Sequence, residues 1–264
     1  MNRVGATTLG FGSRTIDEVF AGLAAVGAEC CELNGRPGQH GGETLSAHRV
    51  LPLAKAHGIA VTSVGGYNDF TLPGETDEQV ERLMVAVRLA GEIGAPLVRA
   101  MVGDLRHDVT LDSCFDTVVT GFRRAAASAA KFGVTLGIEN HGRLANDGAW
   151  LVAVVDAVGA ENIGFTLDTG NFAWSGRSPE VVAADIAAVL PRTVNVHVKD
   201  VQWSPEGRYE HFVTAGEGGI DLPGIVATLR DHGYAGPIVS EYEGPGDHAV
   251  ETARSIAHLK TLVR

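Results

Sequence analysis

The segment "GVTLGIENHG", residues 133–142, joins an apolar run to a glutamate, an asparagine and a histidine. Apolar residues that follow a glycine are typical of a buried strand, and buried strands seldom end in three polar side chains. The same pattern recurs in "NIGFTLDTGN" (162–171), "TVNVHVKD" (193–200) and "PIVSEYEG" (237–244). The fold must therefore explain why four apolar runs each end in polar side chains.

Short apolar runs alternate with amphipathic helical patterns along the whole chain, which indicates repeated strand-helix units. Eight strands are predicted: Val4–Leu9, Glu29–Leu33, Ala60–Val64, Leu97–Ala100, Thr135–Glu139, Ile163–Asp168, Val194–Val198 and Ile238–Glu241. Eight helices are predicted: Thr15–Val26, Leu45–His57, Asp77–Ile93, Leu111–Phe132, Ala149–Val158, Pro179–Leu190, Leu222–His232 and Ala249–Leu262. Glycines follow several of these helices, and Ser178, Pro179 and Asp221 stand where helix caps or first turns are expected.

Eight such units in 264 residues predict an α/β fold, a single-domain (β/α)₈ TIM barrel over residues 1–264. The alternative is an open, doubly wound parallel sheet. The segment "GFGSRT" (10–15) after the first strand lacks the third glycine of a dinucleotide-binding turn. This absence and the count of eight favour the closed barrel.

The composition narrows the class of partner. The chain carries 21 basic and 32 acidic residues, a formal charge of −11, which argues against nucleic acid and anionic membranes as partners. Its three cysteines, Cys30, Cys31 and Cys114, form no disulfide pattern. Because no signal-like or membrane-spanning apolar segment is visible, a cytoplasmic location is expected.

In such a barrel the carboxyl ends of the strands meet at one mouth. Glu139, Asp168, His197 and Glu241 lie at or near the ends of the last four predicted strands, so three carboxylates and an imidazole should share a small volume. Unpaired carboxylates would repel one another, and a divalent cation would relieve that repulsion. Each residue alone could also be a helix cap, a loop residue or a core histidine. Together they predict one divalent metal ion, Mn²⁺ first, with Mg²⁺, Co²⁺ or Zn²⁺ as alternatives.

The motifs "IENHG", "LDTGN", "VHVKD", "GEGGIDLPGIV" and "SEYEG" resemble those of the sugar phosphate isomerase/epimerase family of xylose isomerase-like barrels. The resemblance implies that Glu139, Asp168, His197 and Glu241 bind the metal. It also implies that the two glutamates act as acid and base on opposite faces of a carbon next to a carbonyl. The same family includes ketose 3-epimerases, inosose dehydratase, hydroxypyruvate isomerase and, more distantly, endonuclease IV.

The first functional hypothesis is an isomerase or epimerase of a sugar, sugar phosphate or keto-polyol that works through a metal-stabilised enediolate. A lyase on the same scaffold is the alternative, of the 3-dehydroshikimate or inosose dehydratase type, or one that eliminates from a 3-oxo-glycoside, as part of a larger enzyme or alone. A repair nuclease and a non-catalytic sugar-binding barrel are the other two classes. A homo-oligomer is an open alternative to a monomer.

Further residues are expected around this site. His141, two residues after Glu139, is predicted to act as a base or hydrogen-bond donor to substrate, or to orient Glu139. Asn171 stands where ketose 3-epimerases and endonuclease IV usually carry a histidine, which counts against both and most against a multi-metal nuclease. Asn171 is predicted to bind a sugar hydroxyl, with a helix-start cap as the alternative.

The remaining substrate-binding predictions rest on position at the mouth. Lys199 is expected either to face the substrate or to form a salt bridge at the rim, and His211 to lie on a loop that reaches the substrate. Three more residues are predicted to bind substrate or line the pocket from the ends of the second, fourth and third strands: Glu32, Arg99 and Tyr67. Trp174 and Trp203 are candidate pocket walls.

Overall fold

The strands of this computed structural model, which describes residues 2–36 and 38–264, form a closed eight-stranded parallel barrel. The barrel strands are β1 (Val4–Thr7), β2 (Cys30–Asn34), β3 (Ala60–Gly65), β4 (Leu97–Ala100), β5 (Thr135–Glu139), β6 (Ile163–Asp168), β7 (Thr193–Val198) and β10 (Ile238–Ser240). They are adjacent in the order β1-β10-β7-β6-β5-β4-β3-β2. The predicted TIM barrel is therefore confirmed, and the open sheet is excluded.

Within the part of the chain that the structure describes, eight α-helices alternate with these strands, as the sequence predicts. They are α1 (Ile16–Ala25), α2 (Ala47–His57), α3 (Thr76–Ile93), α4 (Leu111–Ala129), α5 (Gly148–Val158), α6 (Pro179–Val189), α7 (Leu222–Asp231) and α8 (His248–Leu262). The described helices do not include one that is both long and apolar enough to cross a membrane.

The two faces of each strand divide the core into two regions, as the alternation of side chains along a strand requires. On β6, Thr166 lies inside the barrel, within reach of Asn195 at 3.4 Å, and Asp168 shares its face. Phe165 and Leu167 lie on the opposite face and are almost fully buried. Burying such a side chain contributes roughly 1.5–3 kcal/mol, so the outer face stabilises the barrel and leaves its interior free for polar groups.

The helix ends follow the local chemistry of their sequences. Thr15 and Thr110 form capping boxes, and Asp221 accepts the backbone N–H of Gly224 at the start of α7. Pro179 occupies the first turn of α6 as predicted, but the Ser178 side chain makes no capping hydrogen bond. Left-handed glycines end α2 and α3, namely Gly58 and Gly94, where a Cβ would be strained.

The structure corrects several predicted boundaries. The first strand ends at Thr7, because Thr8–Phe11 forms a 3₁₀ turn instead of continuing to Leu9. The last barrel strand ends at Ser240, so Glu241 lies just beyond it. A larger difference is an antiparallel hairpin outside the barrel, β8 (Asp200–Trp203) and β9 (Tyr209–Val213), where only a loop is predicted.

Asp200 organises the connection that follows β7. Its side chain is buried and accepts the backbone N–H groups of Val201 (2.9 Å), Gly216 (2.9 Å), Gly218 (2.9 Å) and Ile220 (3.1 Å). A Cβ at Gly218 would lie 2.3 Å from Asp200 Oδ1, so only glycine fits there. The motif "GEGG" is therefore a turn wrapped around a buried carboxylate.

Candidate active site

The four residues at the strand ends come together at the barrel mouth. One donor atom from each of Glu139, Asp168, His197 and Glu241 lies within 4.8 Å of the other three. All four side chains are buried, none exposed by more than 6%. Four elements that are distant in sequence thus bring three carboxylates and an imidazole into one buried cluster.

The His197 ring has a different environment at each nitrogen. Nδ1 faces the cluster, 3.2 Å from Glu139 Oε1 and 3.5 Å from Glu241 Oε2, while Nε2 lies 3.0 Å from Glu32 Oε2. Burial alone would lower the pKa of His197, but Glu32 and Glu241 outweigh it and raise that pKa well above its usual value. These contacts fix the ring in one orientation, with Nδ1 toward Glu139 and Glu241 and Nε2 toward Glu32.

Polar residues beside the cluster fix the relative positions of the strand ends. The Asn140 side chain donates to the backbone carbonyl of Asp168 at 2.9 Å and accepts the Asp168 N–H at 2.8 Å, which joins β5 to β6. The Thr169 hydroxyl donates to the carbonyl of Lys199 at 2.6 Å and accepts its N–H at 3.1 Å, which joins β6 to β7. These contacts explain why the polar strand ends extend beyond the acidic residues themselves.

Asp168 keeps one oxygen available. Its Oδ1 accepts the backbone N–H groups of Gly170 and Asn171, each at 2.9 Å. Its buried Oδ2 has no hydrogen-bond partner in residues 2–36 and 38–264, although Lys199 Nζ approaches to 3.3 Å. Burial, reinforced by Glu241 and Glu139 and opposed by Lys199, raises the pKa of Asp168 to about 7. The positive charge near the buried Asp168 carboxylate is therefore too small to keep it ionised as readily as it is in water.

Lys199 lies inside the cluster, so its predicted alternative placement at the rim is wrong. Its Nζ is 2.8 Å from Glu243, 3.0 Å from Glu241 and 3.1 Å from the side-chain oxygen of Asn171. The ammonium also lies 5.3 Å from the ring centroids of both Trp174 and Phe212. Burial alone would lower the pKa of Lys199, but the surrounding carboxylates raise it well above its usual value.

Arg99 is the second buried cation of the mouth. Its guanidinium lies 3.3 Å from Glu32 and 3.5 Å from Glu139, and it donates to the Tyr67 hydroxyl at 3.1 Å. Burial would raise the pKa of Glu139, yet Arg99, together with His141 and His197, outweighs it and holds that pKa well below its usual value. Both Arg99 and Glu32 therefore pair with neighbouring protein groups.

His141 lies at the boundary between the cluster and the solvent. Its side chain is 31% exposed, with Nδ1 3.3 Å from Glu139 Oε2 and 3.5 Å from the Asn171 amide nitrogen. The Trp174 ring packs edge-on against it at 5.6 Å. Although burial lowers the pKa of His141, Glu139 outweighs burial and raises it. The imidazole can therefore hold a proton where a substrate would enter.

Two predicted residues lie elsewhere. His211 is exposed on β9, and the buried neighbour Phe212 is the one that faces Lys199. Trp203 lines a groove between α6 and α7 rather than the cluster. Glu243 was not predicted, although its position two residues after Glu241 in "SEYEG" could have indicated it.

The cluster and the charged residues that surround it carry more negative than positive charge. Five carboxylates, those of Glu32, Glu139, Asp168, Glu241 and Glu243, face two permanent cations, Arg99 and Lys199. Five minus two leaves three negative charges to be balanced by protons or by a bound cation. An oxygen-rich donor set with one imidazole nitrogen and no thiolate fits a divalent metal ion.

Comparison with known proteins places this barrel in a family. The family model of xylose isomerase-like TIM barrels matches residues 20–262, and the chain belongs to this family. An inosose isomerase of Halalkalibacterium halodurans is 30% identical over 110 residues, which are 38% of this chain and 38% of that protein. An inosose dehydratase of Erwinia tasmaniensis is 26% identical over 164 residues, 55% of each protein.

A similar solved structure is that of a xylose isomerase-like TIM barrel protein from Mycobacterium smegmatis in complex with magnesium. The TM-score is 0.82 at 18% identity, over 100% of this chain and 97% of that one. This likeness shows the shared fold. The buried acidic cluster of this chain supports divalent metal binding and leaves the identity of the metal open.

Proposed function

We propose that this protein is a divalent-metal-dependent isomerase or epimerase that moves a proton on a carbon next to the carbonyl of a sugar or keto-polyol. The observation that carries the proposal is the pair of buried glutamates, Glu139 and Glu241, which lie 3.2 Å and 3.5 Å from His197 Nδ1 at the barrel mouth. Two carboxylates around one small space allow one to take a proton and the other to return it. A single carboxylate serves one face of the carbon, so epimerisation needs the second carboxylate, whereas isomerisation can proceed with fewer groups.

The residues that would hold the metal are Glu139, Asp168, His197 and Glu241. The unpartnered Oδ2 of Asp168 and the oxygen-rich donor set fit such an ion. Mn²⁺ is our first choice, with Mg²⁺, Co²⁺ and Zn²⁺ as alternatives. When bound, the ion supplies positive charge that polarises the substrate carbonyl and stabilises the enediolate.

The remaining residues of the mouth define the substrate class. Arg99 and Lys199 are paired with carboxylates, so neither offers a free charge to a phosphate. The polar groups that border the cluster include Asn171, Tyr67 and His141, which suit hydroxyl groups, and Trp174 offers an aromatic wall. An uncharged polyhydroxy ketone is therefore the proposed substrate, which agrees with the inososes that name two relatives.

A lyase remains the second candidate because of His141. Its imidazole can hold a proton beside Glu139 at the entrance, where it could protonate a departing hydroxyl after a glutamate removes the neighbouring carbon-bound proton. The dehydratase among the relatives supports the same possibility.

Proton exchange distinguishes the candidates. The metal-stripped protein, reloaded with Mn²⁺, is incubated in D₂O with inososes and ketohexoses, and the substrates are followed by NMR. Deuterium next to the carbonyl with an intact carbon skeleton supports the isomerase or epimerase, whereas loss of water and an enone absorbance support the lyase. No exchange with any keto-polyol, together with cleavage of an abasic oligonucleotide, would refute both.

A further inference from the structure

Glu32 is a buried carboxylate whose contacts are all within the protein. Its side chain is 2% exposed. Oε2 accepts the Ser63 hydroxyl at 2.8 Å and the Asn195 amide at 3.0 Å, and Oε1 accepts Arg99 Nε at 3.3 Å. The fourth partner is His197 Nε2, 3.0 Å from Oε2. Its position at the mouth predicts that Glu32 binds a substrate hydroxyl. Four donors already surround its two oxygens, however, so it is poorly placed for that role.

The contact with His197 determines which ring nitrogen faces the cluster. A carboxylate surrounded by donors accepts hydrogen bonds, so the nitrogen facing it must carry a proton. Nε2 therefore carries a proton, and Nδ1, which faces Glu139 and Glu241, carries one too as long as no ion is bound. An ion held by Glu139, Asp168 and Glu241 would take the place of the Nδ1 proton and leave the Nε2 proton bonded to Glu32. A histidine ligand binds a metal through its unprotonated nitrogen, and a carboxylate behind the ring fixes that tautomer and makes the ring more basic.

We infer that Glu32 is a positioning residue that keeps the proton of His197 on Nε2 and so reserves Nδ1 for the metal ion. This inference rests on the proposed function, because it assumes that the cluster binds a divalent ion. Ser63, Asn195 and Arg99 hold the carboxylate in place, so that it cannot turn away from the ring. Ser63 and Asn195 are not predicted to be metal ligands. They act on the metal site through Glu32.

The test is the affinity of the metal-free, full-length protein for Mn²⁺, measured by competition with a chelator. Glu32→Leu removes the acceptor and should weaken binding by about 10- to 100-fold. Glu32→Gln keeps an acceptor for Nε2 but turns an amide N–H₂ toward one of the other donors. Its Mn²⁺ affinity should therefore lie between that of the wild type and that of Glu32→Leu. Glu81→Leu, the same substitution at a glutamate of α3 that is 73% exposed and lies outside the cluster, is the matched control and should stay within about threefold of wild type.

A second measurement does not depend on activity or on the stability of a variant. ¹⁵N NMR of the histidine rings in the Zn²⁺-loaded wild-type protein should show His197 protonated at Nε2 and unprotonated at Nδ1. A proton on Nδ1, or unchanged Mn²⁺ affinity in a folded Glu32→Leu protein, would overturn the inference and leave the proposed function intact. Absence of divalent-ion binding by the wild type would instead overturn the proposed function, and the inference with it.

Discussion

The ammonium of Lys199 lies 3.0 Å from Glu241 Oε2, and neither side chain is more than 6% exposed. This pair joins the carboxyl end of β7 to the residue that follows β10, at the centre of the mouth. Removing one member of a buried ion pair leaves an uncompensated charge, which typically costs about 3–5 kcal/mol. In this cluster the loss would be larger in effect than for an isolated pair, because Asp168 and Glu243 share the same cation.

Lys199→Met should therefore destabilise the metal-free protein by at least about 3–5 kcal/mol, measured by urea unfolding. Saturating Mn²⁺ should restore part of this loss, since a bound cation adds positive charge to the same carboxylates. Lys260→Met is the control, because that lysine pairs with a half-exposed Glu29 and should change stability by less than about 1 kcal/mol. Equal effects of the two substitutions would contradict the central role of Lys199.

Glu139→Gln and Glu241→Gln should each abolish turnover while the fold stays intact. Both substitutions keep the size of the side chain but remove the carboxylate that accepts or returns the proton, and a loss of at least about 100-fold in kcat/KM is expected. Glu217→Gln, at a half-exposed residue outside the cluster, should leave the rate unchanged. Rates near wild type in either cluster variant, with circular dichroism as the check on folding, would rule out a two-carboxylate mechanism.

The barrel and its four polar strand ends could be predicted because the relevant signals are local. An apolar run and the polar residue that closes it lie within ten residues of one another, as in "GVTLGIENHG". The fold then places the ends of β5, β6, β7 and β10 side by side. No knowledge of individual contacts is needed for that step.

The partners inside the cluster could not be predicted in the same way. Glu32 and His197 are 165 residues apart, and their contact depends on barrel closure and on the register of each strand. Lys199 resembles an ordinary rim lysine in sequence, because its burial comes from Trp174 and from the hairpin residue Phe212. The hairpin is harder to predict, because "DVQW" and "YEHFV" are only four and five residues long and pair with each other rather than with the barrel strands.

Asp200→Asn should destabilise the turn that carries "GEGG". The carboxylate accepts four backbone N–H groups, and an amide would turn its own N–H₂ toward at least one of these donors. A loss of about 2–3 kcal/mol is expected in urea unfolding. Asp221→Asn should be nearly neutral, because asparagine caps a helix as well as aspartate does. Similar losses in both variants would show that Asp200 has no special part in the turn.

The ion pair between Asp69 and Arg106 should stabilise the mouth loops in a pH-dependent way. Asp69 Oδ2 lies 2.6 Å from Arg106 Nη1, and Oδ1 accepts the Thr71 N–H at 2.9 Å. Burial would raise the pKa of Asp69, but Arg106 and Thr71 outweigh it and lower that pKa below its usual 3.8. A carboxylate with a lowered folded-state pKa adds stability above its unfolded-state pKa and loses it as the pH falls through the folded-state value.

Asp69→Asn should thus cost about 1 kcal/mol at pH 7, and the difference from wild type should shrink as the pH falls below 3.8. Urea unfolding of both proteins at a series of pH values measures this difference directly. Asp77→Asn, at a highly exposed partner of Arg124, should change stability by less than about 0.5 kcal/mol at every pH. A cost for Asp69→Asn that stays constant into acid would mean that hydrogen-bond geometry, not the charge of Asp69, holds these loops together.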